Sequence, residues 1–181
     1  MHPFYDREEV RKAVALADTP LWMAEAVAHA TNGRAGSDFA ITGVSIDSRT
    51  VKAGDLYIAL IGERLDGHAF AAQALEKGAA GVLVSKLPEN IPLEQVILVS
   101  DTTKALNDLA VAARSRTSAK IIGVTGSSGK TSTKEMLKIA LSSVGRTHTT
   151  TGNLNNTVGL PLTLARMPEK TDFAVIEMGI N

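Results

Sequence analysis

The sequence predicts an α/β fold built on parallel sheet, and two observations carry that reading. Short apolar runs of strand character alternate with helix-period stretches along most of the 181 residues. One of those runs, Ile121-Ile122-Gly123-Val124, passes through a glycine-rich turn straight into a helical pattern, the βα unit of a parallel sheet.

The elements follow in order. Residues 1–18 mix charge with Val10, Val14, Ala15 and Leu16, and predict a short surface helix or a loose tail. After Pro20, residues 21–30 read as a helix stopped by Asn32-Gly33. Residues 41–46 alternate as a strand and run into Asp47-Ser48-Arg49-Thr50, and Lys52-Ala53-Gly54-Asp55 is turn chemistry. Leu56 to Leu60 is a second strand. The polar stretch from Gly62 to His68 is punctuated by glycine, and a helix is expected over 69–77, ended by Gly78. Strands are expected at 81–84 and 96–99, on either side of a loop from Pro88 to Pro92. Asp101 or Thr102 caps a helix reaching Ser115, with Ala105, Leu106, Leu109, Ala110 and Ala113 on one face. Beyond the glycine turn, Met136, Leu137, Ala140, Leu141 and Val144 keep helical spacing up to Gly145. A strand over 147–151, a polar turn over 152–161, a short helix over 162–166 and an apolar strand over 172–178 complete the chain.

Composition narrows the function classes. Lys+Arg and Asp+Glu are 19 each, so no basic excess marks a general nucleic-acid or anionic-membrane surface. No apolar run approaches the roughly 18 residues of a membrane span, and the first residues show no signal core. Without cysteine there is no disulfide, thiolate metal site or cysteine nucleophile. A cytoplasmic, monomeric protein is the expectation.

The chemistry centres on Gly126-Ser127-Ser128-Gly129-Lys130-Thr131-Ser132. In a strand–loop–helix setting the backbone N–H groups line a concave turn, and the helix start adds about half a positive charge. Glycines there permit positive φ and close approach of the backbone to an anion. Lys130 would reach the β- and γ-phosphate oxygens of ATP, and the Thr131 hydroxyl would ligate Mg²⁺. The spacing departs from the common G-x-x-x-x-G-K-[ST] pattern, since Val124 holds its first position and the glycines stand at 123, 126 and 129. A plain strand–turn–helix is the other reading, but it sets Lys130 against the positive helix end with no anion to compensate.

Other residues stay double-edged at this level. Glu177, at a strand tip, is either a second Mg²⁺ ligand or a solvated acid. Asn153, Asn155 and Asn156, with Thr149 to Thr151, are donors to phosphates or a carboxylate, or simply turn formers; Thr150 and Thr151 lie within that set. Asp47-Ser48-Arg49 is an ion-paired strand end or a polar nest for a ligand head group. His68 caps a helix or touches a ligand, and His29 reads as a surface residue.

Taken together these residues resemble a family. Gly123 to Thr131 is similar to the ATP loop of the Mur ligases, including the glycine spacing that the generic pattern misses. Asp47-Ser48-Arg49, Gly54-Asp55-Leu56-Tyr57-Ile58-Ala59-Leu60 and Gly62 with Asp66-Gly67-His68 resemble the uridine-nucleotide-binding N-terminal part of two late members. Gly152-Asn153, Asn155-Asn156, Gly159 to Leu164 and Glu177-Met178-Gly179 resemble the member that adds the D-alanyl-D-alanine dipeptide. The member adding the third amino acid, and a stand-alone nucleotide-sugar-binding module, are the alternatives.

The resemblance implies an ATP-dependent amide ligase of peptidoglycan synthesis. Its substrates would be UDP-N-acetylmuramoyl-tripeptide and D-alanyl-D-alanine, joined through an acyl phosphate, with ATP and Mg²⁺. It implies that Lys130 is catalytic and that Gly126 to Ser132 hold ATP. Thr131 and Glu177 would hold the metal. Ser45, Asp47, Ser48 and Arg49 would lie near the uracil and ribose, and Thr150, Thr151, Asn153, Asn155 and Asn156 near the diphosphate or metal. The implied layout is an extension over 1–20, a nucleotide-sugar domain over 21–100 and the first part of an ATPase domain over 101–181. Three parallel strands make a poor finished sheet, so a longer enzyme is expected, with this piece unable to ligate alone.

Overall fold

The computed structural model describes residues 19–179, so the helix or tail expected over 1–18 lies outside the described residues. The first element is not a helix but strand β1 (Trp22–Met23), which pairs antiparallel with β3 (Ala40–Ile41) and delays helix α1 to Ala24–Ala30. Between α1 and β3 runs β2 (Arg34–Ala35), a strand too short to show a period. The stretch expected as one strand over 41–46 is broken at Thr42, whose N–H bonds the Gly54 carbonyl, and resumes as β4 (Gly43–Ser45). Next come β5 (Asp55–Ile58), a 3₁₀ turn over Gly67–Phe70, helix α2 (Ala71–Glu76), β6 (Gly81–Val84) and β7 (Val96–Leu98). The helix expected from residue 69 thus opens as a tighter 3₁₀ turn, because Asp66 accepts from the His68 N–H and pulls the chain round.

These strands form one sheet in the order β2-β7-β6-β5-β4, parallel except for β2. Alternation along the strands divides its side chains between two faces. Leu56, Ile58, Leu83 and Ile97 enter one core, and Tyr57, Ala59, Val82, Val84 and Val96 enter another against α2.

Helix α3 (Thr102–Ser115) matches its expected bounds, with the Asp101 carboxylate accepting from the Lys104 N–H as cap. Then follow β8 (Lys120–Val124), α4 (Lys130–Ser142), β9 (Thr147–Thr149), α5 (Gly159–Ala165) and β10 (Phe173–Glu177). Helix α5 starts three residues earlier than expected, since Pro161 falls in its first turn, where no intrahelical N–H is required. The second sheet is fully parallel in the order β8-β10-β9. The larger core links the halves: Leu106 and Leu109 of α3 join Leu162 and Ala165 of α5, with Val27, Ile41, Val44 and Ile58. The helical apolar spacing after Lys130 does not mark a buried face among the described residues, for Met136, Ile139 and Val144 are exposed and Lys134 is the helix's buried residue.

Candidate active site at the phosphate loop

Strand order creates the site. Because β10 lies between β8 and β9, Glu177 pairs with Val124, and the Met178 N–H bonds the Val124 carbonyl at 2.9 Å. The carboxylate therefore emerges beside the start of the glycine loop, at the carboxyl ends of parallel strands. Within the loop Gly126 has φ 146° and Gly129 φ 74°. A Cβ on Gly129 would meet nothing within 4 Å, so glycine is required there by dihedral and not by crowding. Gly129 is also the N-cap of α4, and no side chain caps that end. The first-turn amides are left for an external anion. Ser127, Ser128, Thr131 and Ser132 are exposed around the rim, and the Lys130 ammonium donates to the Gly126 carbonyl across the turn.

Glu177 is 3% exposed and fully engaged. Its Oε1 accepts from Asn155 Nδ2 at 2.9 Å, and its Oε2 accepts from the Thr131 hydroxyl at 3.4 Å. The buried Lys134 ammonium stands 3.5 Å from the same Oε2. The Glu177 N–H donates to the buried Thr150 hydroxyl at 2.9 Å. Thr131 and Glu177 offer hard oxygen donors on one side of the loop, the chemistry Mg²⁺ takes when phosphate oxygens and water complete its shell. Among the described residues no group of three or more His, Cys, Asp or Glu forms a self-sufficient metal cage.

The asparagines divide by role. Asn155 bonds Glu177 and its carbonyl accepts from the Gly179 N–H at 2.7 Å. Asn156 uses its Oδ1 on the Val158 and Gly159 amides, so its side chain caps the start of α5. Asn153 is exposed, and its carbonyl accepts from the Asn155 N–H. Thr151 lines a cleft of about 470 Å³ between the two sheets, with Thr50, Lys52, Asp55 and Arg166.

Asp47, Ser48 and Arg49 sit elsewhere, past the end of β4, on a groove of about 670 Å³ whose wall includes Tyr57, Phe70 and Gln73. Arg49 bonds the Asp47 carboxylate through its side chain and its backbone N–H, which together hold that acid down at about 2. The Ser48 hydroxyl donates to Gln73 Oε1 at 2.8 Å, and Lys77 binds the Ser48 and Arg49 carbonyls. Ser45 is buried and does not line the groove; its hydroxyl donates to the Asp47 carbonyl. His68 takes the structural role: Nδ1 faces Asp66 Oδ1 at 2.6 Å while Nε2 accepts from the Ser85 N–H at 2.9 Å.

The sequence reading passed over Lys134, Gln73 and Lys77. For Lys134 the spacing held a signal, since it falls three residues after Thr131 and four after Lys130, on their side of the helix. Gln73 and Lys77 carried none, because their partners lie 25 to 29 residues away.

Comparison with known proteins meets this geometry. The family profile described as the Mur ligase middle domain matches residues 124–181, and that described as Mur ligase family, catalytic domain, matches residues 40–119. The chain belongs to the Mur ligase family. Among curated Mur ligases, the UDP-N-acetylmuramoyl-tripeptide–D-alanyl-D-alanine ligase of Bacillus subtilis is 49% identical over 142 residues, 78% of this chain and 31% of that protein. A crystal structure of MurF from Acinetobacter baumannii aligns with TM-score 0.74 and 37% identity, over 90% of this chain and 37% of that one. MurF ligase from Thermotoga maritima, solved in complex with ADP, aligns with TM-score 0.61 and 34% identity over 76% of this chain and 32% of its own. The chain thus spans about a third of the length of the Mur ligases it matches.

Proposed function

We propose that this chain carries the ATP-binding and nucleotide-sugar-binding parts of a cytoplasmic, ATP-dependent amide ligase that joins D-alanyl-D-alanine to UDP-N-acetylmuramoyl-tripeptide. The observation that carries the reading is the meeting of Glu177 and Thr131 at the mouth of an uncapped phosphate loop. The names of its curated relatives supply the substrates.

In the proposed reaction a carboxylate oxygen of the tripeptide attacks the γ-phosphorus of ATP, the bond to the β-bridging oxygen breaks, and ADP leaves. The dipeptide amine then attacks the acyl carbon, losing a proton as inorganic phosphate departs. Lys130 and the amides from Gly126 to Ser132 hold the phosphate chain where negative charge accumulates. Thr131 and Glu177 are the residues that would hold Mg²⁺, which would supply further neutralisation of the charge on the phosphate chain. The groove along Asp47, Ser48 and Arg49 would take the uridine end, and Thr151 with Asn153 would face the diphosphate region. In this division residues 21–100 serve the nucleotide sugar and 101–181 serve ATP.

Titration calorimetry on the 181-residue chain tests the reading. Mg-ATP and UDP-N-acetylmuramoyl-tripeptide should each bind with one-to-one stoichiometry. Lys130→Ala should weaken ATP at least tenfold and leave the nucleotide sugar within twofold. Equal losses for both ligands would make Lys130 a structural residue, and binding of the nucleotide sugar alone would reduce the chain to a nucleotide-sugar module.

A further inference from the structure

Lys134 is the buried residue of α4, and its side chain is 2% exposed. Its ammonium lies 3.5 Å from Glu177 Oε2, the same oxygen that receives the Thr131 hydroxyl. Its other acidic neighbour, Glu135, is half exposed at 3.5 Å and also faces Lys138 at 3.7 Å. A buried ammonium needs a compensating anion, and Glu177 is the buried one within reach. The pair places one positive and one negative charge side by side at the loop mouth, and the remaining acid beside Lys134, Glu135, is itself shared with Lys138. A divalent cation arriving by itself therefore meets a carboxylate already neutralised by the ammonium that stands on the oxygen it would use, with the Lys130 ammonium also in the loop. One arriving on a triphosphate brings its own negative charge and feels far less of that repulsion.

We propose that Lys134 is a positioning residue that acts as a built-in counter-cation: it holds the Glu177 carboxylate toward Thr131 and makes divalent-metal binding conditional on nucleotide. The inference rests on the reading of Thr131 and Glu177 as the metal-side residues, and the experiment separates the two. Protein-bound Mn²⁺ is followed by electron paramagnetic resonance as the metal titrates the 181-residue chain, without nucleotide and with ATP, each read against the same solution lacking the chain. The wild-type chain should retain Mn²⁺ only with ATP. Lys134→Met should bind Mn²⁺ alone about tenfold tighter or more, Lys134→Arg should behave as wild type, and Glu177→Gln added to Lys134→Met should erase the gain. Should Lys134→Met not fold, Lys134→Gln keeps an amide donor toward the carboxylate without the charge, and the same gain is expected. Equal nucleotide-free affinity in the wild type and the neutral variants overturns the inference while leaving the metal site standing. Micromolar Mn²⁺ binding by the wild type without nucleotide overturns it as well, whatever the variants do. No Mn²⁺ retention even with ATP removes the metal reading itself, and the inference with it.

Discussion

At the scale of single residues, charge in this protein is set by immediate partners. Asp47 is held at about 2 first by the hydrogen bond from the Arg49 side chain and then by the Arg49 backbone N–H. Arg49→Gln should return it most of the way toward 3.8, readable by carboxyl-carbon NMR titration, and an unchanged midpoint would show that the backbone contact suffices. The sign follows from a folded value below the unfolded one. The pairing stabilises fully above the unfolded value and is lost as the pH falls toward 2. With Arg49 open to solvent, the effect belongs to the local titration and not to global stability. Asp47-Ser48-Arg49 could be read beforehand as an ion-paired strand end, since its members are neighbours in sequence. That the same residues also edge a groove with Phe70 and Gln73 depends on α2 folding back across the sheet.

Individual elements were the most legible level, wherever the determinants were local. Helix α3 has its cap, stripe and end within fifteen residues, and its bounds match expectation. The departures come from partners outside the segment: Trp22 and Met23 become a strand because Ala40 and Ile41 pair with them. In the phosphate loop, Gly129 bridges turn and helix at φ 74°, a conformation that costs a residue with a Cβ about 1 kcal/mol. Gly129→Ala should cost that amount of stability, read as a lower urea midpoint at an unchanged denaturant slope, even though open space surrounds the position. No shift in midpoint would mean that the loop relaxes to another path.

Across the whole molecule, the two sheets share a core through helices α3 and α5. Leu109 is fully buried where they meet, alongside Leu106 and Leu162. Leu109→Ala should cost about 2–5 kcal/mol, shifting both Trp22 fluorescence and far-ultraviolet circular dichroism along one coincident transition. Separate transitions would show that the sheets unfold independently. Arg116 adds a second tie, lying 3.4 Å over the Trp22 ring and donating to the Leu21 and Met167 carbonyls. Neither tie was foreseeable, because each joins segments 51 or more residues apart.

The sequence by itself determined the α/β class, the strand–glycine loop–helix unit and the candidacy of Lys130, Thr131 and Glu177, because hydrophobic period, turn dihedrals and helix-end electrostatics act over a few residues. Only the tertiary structure decided which groups meet. Inserting β10 between β8 and β9 brings Glu177 to a threonine 46 residues earlier and an asparagine 22 residues earlier. The same placement buries Lys134 against it. Strand order is settled by which apolar faces can be buried together across the whole chain, and no short window of sequence contains that sum.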